Sequence, residues 1–62
     1  MVEIAISTVN EAFDNPGPEI ARILRKLADM VEPLESGLMG DWETKLRDAN
    51  GNTVGSFLYT TK

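Results

Sequence analysis

Apolar and polar positions divide the chain into segments with two different periods. From Val2 to Thr8 they alternate, with Val2, Ile4 and Ile6 on one side and Glu3, Ala5 and Ser7 on the other. That is the period of a half-buried strand. From Ile20 onward the period becomes helical: Ile20, Ile23, Leu24, Leu27 and Val31 fall within one arc, flanked by Ala28 and Met30. Arg22, Arg25, Lys26, Asp29 and Glu32 take the opposite side. Alternation then returns, as Trp42, Thr44 and Leu46 interleave with Asp41, Glu43, Lys45 and Arg47. A last β-rich run extends from Thr53 to Thr60.

The residues between these segments set their ends. Asn15-Pro16-Gly17-Pro18 is a helix start, because proline fixes φ and lacks only an N–H that the first turn leaves unpaired. Asn15 or Asp14 is expected to supply the capping oxygen, Glu19 suits the positive end of the dipole, and Phe13 is placed to staple onto Ile20 or Ile23. Arg25 and Asp29 have the spacing of an i,i+4 pair. Pro33 stops the helix at Glu32, and a loop from Leu34 to Gly40 follows. Asp48-Ala49-Asn50-Gly51-Asn52 predicts a hairpin with the three-residue loop Ala49-Asn50-Gly51 and a left-handed Gly51. The expected register pairs Asp48 with Asn52, Leu46 with Val54, Thr44 with Ser56 and Trp42 with Leu58.

These elements make one α+β domain, residues 1–62, of order β-α-β-β: one helix packed on a three-stranded, mainly antiparallel sheet. The last strand is the most β-branched and aromatic, so it is placed centrally and pairs antiparallel with the first; the charged strand takes an edge. A single helix covers one face only. In the expected register Phe57 and Tyr59 point to the other face, among Asp41, Glu43, Lys45 and Arg47, and an aromatic pair so exposed predicts a homodimer.

Composition narrows the chemistry. The 62 residues include no cysteine and no histidine, which removes thiolate nucleophiles, disulfides and the usual neutral-pH base. The carboxylate pairs Glu32 with Glu35 and Asp41 with Glu43 read as solvated surface, and no catalytic, cofactor-binding or metal-ligating residue is assigned. Asp48 to Asn52 is oxygen-rich like a calcium loop, but the position that needs a glutamate is Tyr59. Six basic against ten acidic side chains leave a net charge of −4, unsuited to direct contact with nucleic acid. The short apolar runs span no membrane, and the Met1-Val2-Glu3 start is not that of a secretory leader. A core this small supplies about 3–5 kcal/mol, which favours self-association or docking on a larger partner. Candidate contact residues beyond Phe57 and Tyr59 are the basic trio Arg22, Arg25 and Lys26, and the loop pair Leu38 and Met39.

The stretches Asn10 to Phe13, Pro16 to Asp29 and Leu46 to Gly55 resemble a family of short bacteriophage and prophage proteins, mostly without assigned functions. The matching segments are a capped helix and a hairpin turn, so the resemblance brings no catalytic residue with it. It implies the cytoplasm of a bacterial host and a non-enzymatic protein that binds and occludes a host or defence-system protein. The alternatives are an acidic mimic of nucleic acid and a structural homodimeric accessory protein. The segment Glu32 to Thr44 is longer than the family leads one to expect.

Overall fold

The computed structural model describes residues 1–34 and 40–61. Its elements follow the predicted order: strand β1 (Val2–Ile6), a single 3-10 turn (Glu11–Phe13), helix α1 (Pro16–Val31), a second 3-10 turn (Glu32–Leu34), and strands β2 (Trp42–Arg47) and β3 (Thr53–Tyr59). The strands form one sheet of order β1-β3-β2, and both neighbours of β3 are antiparallel to it. No helix of the described residues is long and apolar enough to cross a membrane.

Local chemistry accounts for the boundaries. Pro16 opens α1 after Asn15, but neither Asn15 nor any other side chain caps it by hydrogen bond. A side-chain cap is found earlier in the chain, at a residue not expected to supply one: Asn10 Oδ1 accepts from the Ala12 N–H and starts the 3-10 turn. That turn carries Phe13 into the core beside Ile23, with Ile20 packed alongside, as a staple requires. At the other end the Glu32 N–H still donates to Ala28 O, and Pro33 then tightens the chain into the second 3-10 turn. No ion pair joins Arg25 and Asp29 among the described residues.

The hairpin corrects the predicted register. Its turn is as expected: Asp48 N donates to Asn52 O at 2.9 Å, Gly51 N to Asp48 O at 3.0 Å, and Gly51 has φ +84°. Arg47 lies opposite Thr53, but Leu46 lies opposite Gly55, so Val54 is an extra residue in β3. A bulge of this kind moves every later residue of the strand by one position. Trp42 consequently faces Tyr59, and Thr44 faces Phe57. The bulge also accommodates β1. A Cβ on Gly55 would overlap the Ala5 carbonyl oxygen, and the Ser7 N–H donates to the carbonyl of the extra residue, Val54, at 2.7 Å.

The slip decides which residues form the core. Phe57 turns towards α1 and is only 5% exposed, joining Phe13, Ile23, Leu27, Leu46 and Val54. Trp42 meets it edge to face, with ring centroids 5.5 Å apart, and Tyr59 packs on the periphery. The expectation that Phe57 and Tyr59 lie on the open face is therefore corrected, and a homodimer built on them loses its anchor. In register, the open face carries Glu3, Leu58 and Glu43 in one row and Ala5, Ser56 and Lys45 in the next.

Candidate functional site

The helix lies over β2 and leaves β1 largely uncovered. Where α1 runs beside β2, a groove of about 440 Å³ opens between them. Its helical wall is Ile23, Lys26 and Met30, a stripe of spacing three and four on one side of α1. Its other wall is residues 43–47, five in succession. Successive strand residues point to opposite faces, so five in a row line one groove only along the backbone edge. Among the described residues β2 pairs with β3 alone. The groove thus follows an edge whose outward N–H and C=O groups have no ladder partner there, although at its turn end the Arg47 carbonyl accepts from the Arg22 side chain.

Its chemistry is mixed in an ordered way. Ile23, Met30 and Leu46 give the helix side an apolar floor, with Leu46 and Ile23 belonging to the core. Lys26, Lys45 and Arg47 stand against one carboxylate, Glu43, which leaves a local positive surplus on a chain of net charge −4. Lys45 Nζ lies 3.9 Å from Glu43 Oε2, both side chains being more than half exposed, so this pair holds neither group firmly. Arg47 donates to Thr53 Oγ1 at 3.2 Å, which steadies it at the turn end.

A second polar cluster fixes that end of the groove. Glu19, 9% exposed, takes two hydrogen bonds from Arg22, at 2.9 and 2.8 Å, and a third from the Ala49 N–H at 2.8 Å. The Arg22 guanidinium holds the Glu19 carboxyl below the ordinary carboxylate range, against an opposing effect of burial. Arg22 itself is raised by the same bond and also donates to Arg47 O at 3.2 Å. Burial alone would raise the pKa of Asp48. Donors from the Asn52 and Asn50 N–H groups and the Asn10 and Asn52 side-chain amides outweigh burial and lower it. Both Asp48 oxygens thus serve the turn, which is why the sequence is oxygen-rich there.

The sequence-predicted contact residues are dispersed by the fold. Arg22 is committed to Glu19 and to the hairpin, so the basic trio does not act as one solvent face; Arg25 and Lys26 remain exposed. Lys26 reaches the groove and Arg25 is not among its lining residues. Phe57 is core and Tyr59 half-buried, while Leu38 and Met39 lie outside the described residues. Lys45 and Glu43, read from sequence as strand-edge charges, turn out to line the groove. The available signal was an alternating strand with charges at an edge, which does not say that a helix lies beside it. Comparison with family models, characterised proteins and solved structures gives no match.

Proposed function

We propose that the chain is a non-enzymatic binding protein that attaches to a partner protein and covers part of its surface. The observation that carries this reading is the groove between α1 and the unpaired edge of β2. It combines apolar floor, backbone hydrogen-bonding groups and unneutralised charge, the three components of a protein contact. The core behind it is thin: no large side chain among the described residues is less than 2% exposed. A domain so built gains stability from a partner by mass action. In keeping with the resemblance to phage proteins, the partner is a bacterial host or defence protein.

The mimic of nucleic acid has less support, since Lys45 interrupts the carboxylates beside Glu43. A structural homodimer now has a different candidate surface: Val2 and Ile4, 54% and 45% exposed on the side of β1 that faces the helix layer.

Photo-crosslinking tests the reading. A crosslinking side chain at Lys26 or Lys45, expressed in the bacterial host, should give one adduct that excess unlabelled chain suppresses; the same group at Arg25 should not. Adducts of equal yield from all three positions, or self-adducts alone, would contradict occlusion through the groove.

A further inference from the structure

The groove dictates more than the presence of a partner. We infer that its occupant is an extended acidic segment of the partner, added as a fourth strand along β2; this rests on the occlusion reading and specifies its partner. Three features lead there. The groove runs along a strand edge, and the ligand that satisfies a row of outward amides and carbonyls at strand spacing is another strand. β2 has six residues, room for a partner of similar length, about 20 Å. The groove volume of about 440 Å³ suits side chains from one face of such a strand.

Charge and periodicity then select its sequence. Residues of an added strand alternate between the helix side and the open face. Those on the helix side meet Ile23, Met30 and Leu46, and are apolar. Those on the open face come beside Glu43, Lys45 and Arg47, where two cations outnumber one carboxylate, and are acidic. Lys26 borders the same channel from the helix. The occupant therefore alternates apolar with acidic residues, and the surplus of cations excludes a basic strand. An acidic segment also approaches a chain of net charge −4 at a place where the charge of the lining side chains is locally reversed.

The test uses a blocked hexapeptide alternating valine with glutamate, titrated into the full chain and followed by NMR. Shifts should concentrate at residues 43–47 and at Ile23, Lys26 and Met30. Two further peptides carry N-methyl groups on alternate residues, one set on each edge. Only one edge can face β2, so one peptide should weaken by at least about tenfold and the other should bind nearly as the parent does. Lysine in place of glutamate should weaken binding by a similar factor at low salt, and Lys26→Glu with Lys45→Glu should reverse that preference, the spectrum otherwise remaining that of the folded chain. Equal tolerance of both N-methylated peptides, or equal loss with both, overturns strand addition. Equal affinity for the lysine peptide overturns the charge assignment. Absence of peptide binding together with a competed Lys26 adduct overturns the strand and leaves occlusion standing; loss of the adduct as well removes both.

Discussion

The two edge strands of the sheet pair with the same central strand but meet their surroundings differently. β2 has a helix beside it, alternates charge with apolar side chains, and runs into a turn held by Glu19 and Asp48. Among the described residues β1 has no helix packed along it, leaves Val2 and Ile4 exposed, and approaches β3 so closely that position 55 excludes a β-carbon. Charges on an exposed edge discourage indiscriminate pairing while leaving the backbone available to a strand of matching charge. The contrast assigns selectivity to β2. It leaves β1 a supporting part, with Ile6 packed against the core that holds Phe57.

Removing what the two edges share should have the largest effect. Phe57→Ala takes a buried ring from beneath both strands and should cost about 3–5 kcal/mol, as much as a core of this size supplies. The variant should be largely unfolded at 25 °C by circular dichroism; a cooperative melt near that of the wild type would place the ring outside the core. Gly55→Ala separates the edges. Its methyl group collides with the Ala5 carbonyl, so it should cost about 1–3 kcal/mol and release the β1 amides to exchange while those of β2 and β3 stay protected. Uniform loss of protection would mean that the two edges form one cooperative unit. Gly51→Val acts at the turn alone: a positive φ penalises a β-branched residue by about 1–2 kcal/mol in urea melts, while Ala49→Ser should be nearly silent.

Acid should affect the β2 end selectively and more gently. Glu19 and Asp48 have folded-state pKa values below their unfolded ones, so the folded chain binds fewer protons in mild acid. Their contribution is complete above the ordinary carboxylate pKa of about 4 and is lost as pH falls through the lower folded-state values. Asp48→Asn should reduce this acid dependence, measured as urea midpoints from pH 6 to pH 2. An unchanged slope would separate Asp48 from the pH response.

What the sequence made legible was local. Pro16 and Pro33 bracket the helix, and Asp48 to Gly51 specifies the turn through side chains that act within a few residues. The order β1-β3-β2 follows from the β-branched and aromatic content of the last strand and the charges of the Asp41–Asp48 segment. The bulge was not legible, although a glycine inside a strand is a signal for one: what requires a glycine at position 55 is the close approach of Ala5, fifty positions away in sequence. That one residue reverses the facing of Phe57 and Tyr59 and with it the expected interface. The Glu19 contact with Ala49 and the Asn10 contact with Asp48 are equally non-local, spanning 30 and 38 residues. Glu19 looked like a dipole partner and Arg22 like a free cation until the fold brought the hairpin to them.

Residue-resolved amide exchange with and without the alternating valine–glutamate hexapeptide sets the two edges against each other in one experiment. Outward-facing amides within residues 43–47 should slow by at least about tenfold on saturation, as expected for a newly paired edge, while those of Val2–Ile6 keep their rates. Slowing confined to β1, or equal at both edges, would contradict the assignment of the binding edge to β2.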